Sequence, residues 1–272
     1  MKFTRIISNS FKVPFRNYKN LALFCVLFVL GLVGYVGNVI NNSLIMQIGL
    51  VTFIVLALIV PGYLLSVVRE GTDDSDKLPS LNIVKNIVDT LKLVLLNIVF
   101  MLIPSIVSFA LLLPTGMVAI SNWDSIFSVN NVGTSNFFTM ALIIFIVIFL
   151  LYFIFLIFEY VAMARFAHYD SLTEALSLRK VYSDIREIGV LKTVGLIVVM
   201  GIIVIIITRI ALLLLLIPYV GVVIYLCLII PLFSVIFYYS LGLLYSDISG
   251  ASDLGAFERE LMEFRINNSN LK

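Results

Sequence analysis

Four side chains in this sequence have the type and placement to do chemistry: Arg209, Asp124, Glu159 and Arg165. Arg209 is the one base among 18 lysines and arginines that falls inside an apolar run. Counting about 1.5 Å per residue from Lys192 puts it roughly 25 Å along its helix, in the outer part of a bilayer. A charge near that depth costs about 3 kcal/mol unless its side chain reaches the headgroups or finds a partner, which makes it a functional candidate by default. Two readings follow. Arg209 snorkels to the outer headgroups or pairs with Asp124, the sole acid on that side; or, beside Thr208 and facing Asn38, Gln47, Ser105 or Ser108, it binds an anionic headgroup or solute.

Glu159 closes an apolar run, and Arg165 and His168 follow within about three turns. The sequence predicts an interfacial carboxylate paired to one of those bases, in preference to a proton carrier. His168 is the only histidine, and a lone histidine builds no His-based metal site and no catalytic set with the residues around it. No glycine-rich phosphate loop, paired-cysteine motif or HExxH is present. No catalytic residue, cofactor or metal is therefore expected, and a non-enzymatic protein is. Cys25 and Cys227 both sit in apolar runs, where a thiol behaves as a small hydrophobe.

The elements that must position these groups are set by composition. With 61% hydrophobic and 12% charged residues among 272, the chain has too little polar surface to cover a water-soluble globule. The predicted fold class is all-α, a polytopic membrane bundle forming one domain. Its six spans fall at about 21–40, 44–68, 91–113, 137–162, 193–217 and 222–245, each long enough for about 30 Å of hydrocarbon.

Between them lie amphipathic stretches. Residues 1–20 mix Phe3, Ile6, Ile7, Phe11 and Phe15 with five bases, as in a helix lying in the headgroup layer. After Pro79, residues Leu81, Val84, Val88 and Leu91 form a stripe against Asn82, Lys85, Asn86 and Asp89, predicting a second surface helix. The elbow after span four opens on Ser171-Leu172-Thr173-Glu174, the spacing of a capping box. A further surface helix is expected over 252–266. Gly31, Gly34 and Gly37 recur at threes on span one, where small residues let a neighbour approach. Trp123 and Phe127 suit an interfacial anchor in the far loop.

Seventeen of the 18 bases lie in the leader, the two elbows and the tail, which six spans place on one side. The positive-inside rule then makes both termini cytoplasmic, in the plasma membrane. The chain also reads as a threefold recurrence of amphipathic helix, span, span, over about 1–69, 70–165 and 166–247. Tyr63, Arg69 and Lys92 recur as Tyr160, Arg165 and Lys192. Each unit starts and ends on the same side, so the repeats are parallel.

Several of these segments are shared with a known family. Val13-Pro14-Phe15-Arg16-Asn17-Tyr18-Lys19, Pro61-Gly62-Tyr63-Leu64 through Arg69, Leu78-Pro79, Val88-Asp89-Thr90-Leu91-Lys92, and Ala162-Met163-Ala164-Arg165-Phe166-Ala167 leading to Ile188-Gly189 carry the likeness. On them the chain resembles the archaeal and bacterial multi-pass membrane family catalogued as domain of unknown function 4013. Thr90 stands where that pattern has glycine, and Tyr18 where it has tryptophan. The resemblance implies a six-span body and no defined activity.

The expectation is a permease-like protein, or one that binds lipid or a small solute. A scaffold docking partners through its cytoplasmic helices is the alternative, and an intramembrane enzyme using Glu159, His168 or Asp89 is third. Expected partners are membrane lipids and, at the helix surfaces, a further copy of the chain or another membrane protein. Nucleic acid is excluded, since the bases mix with acids and face headgroups.

Overall fold

The computed structural model of the protein describes residues 3–121, 132–214, 216–217 and 219–249. Trp123, Asp124, Phe127 and the 252–266 segment lie outside them. Every regular element among the described residues is helical: α1 Phe3–Arg16, α2 Tyr18–Gly31, α3 Val33–Val39, α4 Ser43–Thr72, α5 Ile83–Ser121, α6 Val132–Tyr169, α7 Leu172–Ala175, α8 Leu178–Ile188, α9 Val190–Leu214, α10 Val220–Ile224, a π-helical turn Tyr225–Ile229, and α11 Ile230–Ser249. Six helical stretches are long and apolar enough to span a membrane: α2 with α3, α4, α5, α6, α9, and α10 through α11. The chain is an all-α multi-pass membrane protein.

The turn between the first two spans follows from its three residues. Asn41 takes a left-handed conformation (φ 56°); its N–H bonds the Asn38 carbonyl, and the Asn42 N–H bonds that of Gly37 (2.9 Å). These two bonds make a Schellman ending to α3. The Asn42 side chain then accepts from the Leu44 and Ile45 amides and caps α4. Past this turn, Gly34 meets the backbone of Gly49, and Gly37 meets that of Met46.

The spans form two layers. Spans two, four and six (α4, α6 and α11) touch one another and make an inner trio, all running in the same direction. Span one sits against α4 and the span-six helix, span three (α5) against α4 and α6, and span five (α9) against α6 and α11. Three sectors result, each an outer helix laid over a seam between two inner ones. This arrangement matches the parallel threefold recurrence of the sequence.

Tight packing is concentrated at the base-rich end. Tyr63 to Val68 of α4, Val161 to Ala167 of α6, and Tyr239 with Leu241 to Tyr245 of α11 are buried there. Large apolar side chains toward the other end stay exposed on the outer faces, including Phe145, Phe149 and Ile205. In a membrane, those faces meet lipid.

The same principle reverses one sequence expectation. The stretch after Pro79 does not lie as a separate surface helix: α5 starts at Ile83, with the Asn82 side chain accepting from the Lys85 amide (3.1 Å), and runs unbroken into span three. Its apolar stripe faces outward, Val84 being 75% exposed, whereas Asn86, Asp89 and Thr90 are buried, Asp89 to 3%. Lipid is the apolar phase here, so the polar face turns to the bundle. The capping box also fails to form. Ser171 makes no cap bond and shares one with the Thr173 hydroxyl, because Glu174 is drawn away to Arg165 and Lys180.

Ion pairs repeat with the sectors. Arg69, near the end of α4, holds Asp89 of α5 (3.4 Å) and Asp170 (3.1 Å). Arg165, near the end of α6, holds Asp184 of α8 (2.6 Å) and Glu174 (2.8 Å). Lys92 of α5 lies over the Phe166 ring of α6, and Lys192 of α9 pairs with Asp247 of α11.

Two outcomes follow. An added Cβ at Gly62 would collide with the Asn86 carbonyl oxygen, whereas at Gly201 it would meet nothing within 4 Å. Gly62→Ala is therefore expected to lower detergent-solubilised stability by at least about 2 kcal/mol, and Gly201→Ala to leave it unchanged, as read by thermal melts. Arg165→Met should cost about 3 kcal/mol by stranding the buried Asp184 carboxylate, and Arg165→Met with Asp184→Leu should recover part of that loss. Lys180 and then Arg165 hold the Glu174 carboxyl below its ordinary value of 4.5. A folded-state value that is depressed stabilises the protein above the unfolded value and loses that support as pH falls. Melting temperature should thus drop below about pH 4.5, and Glu174→Gln should flatten that drop.

Candidate functional site

In each of the first two sectors a backbone contact draws the outer helix onto α4. Glycines zip α3 to α4, and in the second sector Gly62 packs on the Asn86 backbone while its N–H bonds Thr90 Oγ1 (2.8 Å). Gly71 and Gly242 likewise bring α4 against α11 within the inner trio. The third sector is different. Gly201 of α9 has no neighbour there, and a partly open cavity of about 450 Å³ lies between α6, α9 and the span-six helix.

The span-six helix is reshaped where it lines this cavity. Pro231 has no N–H to donate, and its ring crowds the carbonyl of Cys227, four residues back. The π-helical turn Tyr225–Ile229 precedes it and widens the backbone there. Tyr225, Ile229 and Ile230 then form part of the cavity wall.

Most of the remaining wall is aliphatic or aromatic, with hydroxyls from Tyr160, Thr208, Tyr225, Ser234 and Tyr238. Gly201 and Thr208 lie about 13 and 24 Å along α9 from Lys192, which places the cavity from mid-membrane outward. Apolar walls with a few separated polar groups suit a chain-like or amphiphilic guest.

A second, smaller cleft of about 230 Å³ lies where α4, α5, α6 and α11 meet. It is lined by Pro61, Thr90, Asn97, Glu159, Met163 and Tyr238, among others. Asn97 Nδ2 donates to Glu159 Oε1 at 2.6 Å. Tyr238 belongs to the walls of both spaces.

The sequence-predicted residues hold separate places. Arg209 is exposed on α9, next to Thr208 but not in the cavity wall, and pairs with no described residue. Asp124, its expected partner, lies outside the described residues. Ser105 shares a hydrogen bond with the Tyr152 hydroxyl (3.1 Å), and Ser108 is buried on α5, so neither turns to Arg209. Glu159 does not pair with a base: its partner is the Asn97 amide, because Arg165, six positions on, is taken by Asp184 and Glu174.

Arg165 is a buried structural clamp. Its Nε donates to the Glu174 carbonyl (3.1 Å), its plane lies over the Tyr169 ring, and Asp184 also accepts from the Tyr245 hydroxyl (2.9 Å). His168 packs on Tyr169 and Tyr245, with Nδ1 buried and without a hydrogen-bond partner among the described residues. Asp89 is held by Arg69. Glu159, His168 and Asp89 thus make separate contacts. Among the described residues no group of three or more His, Cys, Asp or Glu side chains gathers to hold a metal.

Asn97, Tyr238 and Ser234 were not singled out from sequence. Asn97 carried a readable signal: Asn86, Thr90 and Asn97 recur at intervals of 4 and 7 and so share one helix face. Tyr238 and Ser234 sit in an apolar run with no such pattern.

No curated protein and no solved structure matches the chain. A family match does exist, and it spans residues 45–219, from the start of α4 to the turn before span six. That stretch holds the second and third sectors' outer helices, the Arg69 and Arg165 clamps and, apart from Tyr238, the wall of the Glu159 cleft. Since it covers more than half of the chain, the protein belongs to the family described as "Protein of unknown function (DUF4013)".

Proposed function

We propose that this protein is a non-enzymatic, permease-like binder of a membrane lipid or small amphiphilic solute, and that the guest occupies the third-sector cavity. The observation that carries this reading is the contrast between sectors. In two, a glycine contact draws the outer helix onto α4, and the third lacks one and holds the larger, roughly 450 Å³ space, with hydroxyls on otherwise apolar walls. In this reading Arg209, exposed beside Thr208 in the outer part of span five, attracts an anionic headgroup while the guest's apolar part enters the cavity.

The base-rich end faces the cytoplasm of the plasma membrane, a placement supported by the described bases of the leader and the two elbows, which gather there. Docking of partners through the elbow helices is less well supported. The apolar stripe of α8 (Val181, Ile185 and Ile188) is already buried in the protein, as are Ile6 and Val13 of α1.

Retention of a radiolabelled anionic phospholipid by the purified, delipidated full chain tests this directly. Wild type should bind saturably, at about one per chain. Gly201→Phe, which fills the open space, should lose at least two thirds of that retention without a change in melting temperature. Arg209→Leu should abolish the preference for an anionic over a zwitterionic headgroup. Equal retention by wild type and Gly201→Phe would contradict the reading.

A further inference from the structure

The carboxyl in the second cleft stands apart from the charged layer. Glu159 lies six residues before Arg165, so about 9 Å deeper along α6 than the charged clamp. Its one hydrogen-bond partner among the described residues is the neutral Asn97 amide. The surrounding cations are engaged elsewhere: Arg165 with Asp184 and Glu174, Arg69 with Asp89 and Asp170, and Lys92 over Phe166. The titratable groups that face the carboxyl are Tyr160 on its own helix and Tyr238 from α11. From α4 and α5 the cleft receives Pro61, Thr90 and Asn97, none of which titrates.

A carboxylate with a single neutral donor and no cation, set among Leu93, Val94, Leu96 and Met163, is poorly compensated as an anion. Such a group resolves the conflict by taking a proton. We propose that Glu159 is a proton-binding carboxyl, and that its protonation is coupled to occupancy of the third-sector cavity through Tyr238, which lines both spaces. The coupling rests on the cavity reading of the previous subsection; the proton site itself does not.

The probe is dicyclohexylcarbodiimide, applied to the full chain reconstituted in phospholipid vesicles. A protonated carboxyl adds across one C=N bond of the reagent, its oxygen bonding to carbon and its proton passing to nitrogen. The resulting O-acylisourea rearranges to a stable N-acylurea that peptide mass spectrometry locates. Labelling at Glu159 should be at least fivefold greater at pH 6 than at pH 9 and absent in Glu159→Gln. No label at Glu159, or equal label at both values, overturns the proton site.

Phospholipid retention by the purified, delipidated full chain reads the coupling. It should change at least threefold between pH 6 and pH 9 in wild type and not in Glu159→Gln; retention independent of pH in wild type overturns the coupling. The two failures are distinct, because labelling reads the proton whatever the cavity holds. A chain that is labelled as expected yet retains no phospholipid at either pH refutes the cavity reading and, with it, the coupling.

Discussion

Hydrocarbon offers no hydrogen-bond partner, and that constraint arranges nearly everything in this fold. Every polar side chain that enters the bilayer must find its partner inside the protein or return to the interface. The inner trio supplies those partners at one end. Arg69 and Arg165 each sit near the end of an inner helix and hold an aspartate on a later helix, Asp89 or Asp184. Lys92 and Lys192 repeat the pattern by reaching from an outer helix to the next inner one. The charged end is thus a built layer, with the spans extending from it into lipid.

Small residues decide which seams close. Without a hydrophobic difference between lipid and protein, helices associate where backbones can approach and make dispersion contacts. Gly34, Gly37 and Gly49 allow this in the first sector and Gly62 in the second. The third has Gly201 on its outer helix with no facing backbone, and a proline and a π-helical turn on the other wall. Its larger space follows from the same packing rule that draws the outer helices of the other two onto α4.

The sequence made the six spans, the one-sided distribution of bases, the glycine seam on span one and the threefold recurrence legible, because each depends on composition or short spacing. It misled on α5. A helical period shows that a stretch has two faces, but in a membrane the apolar face can meet lipid while Asn86, Asp89 and Thr90 turn to protein, the reverse of a soluble helix. The capping-box spacing at Ser171 misled for a different reason: Glu174 had a stronger partner in Arg165. Asn97 and Glu159, 62 positions apart, meet only through tertiary packing, so local spacing pointed Glu159 to the nearer bases. The cavity was equally hidden, since it arises from a contact that is missing between two apolar helices.

In two sectors a glycine contact holds the outer helix on α4, and in the third no such contact forms and the seam is open to a guest. A cryo-electron microscopy structure of the full chain in lipid nanodiscs tests it most directly. Elongated lipid-like density is expected beside Gly201, Thr208 and Tyr225, and none between α3 and α4 or at the Gly62–Asn86 contact. An α9 packed against α11 with no density between them would contradict it, as would equal density in all three seams.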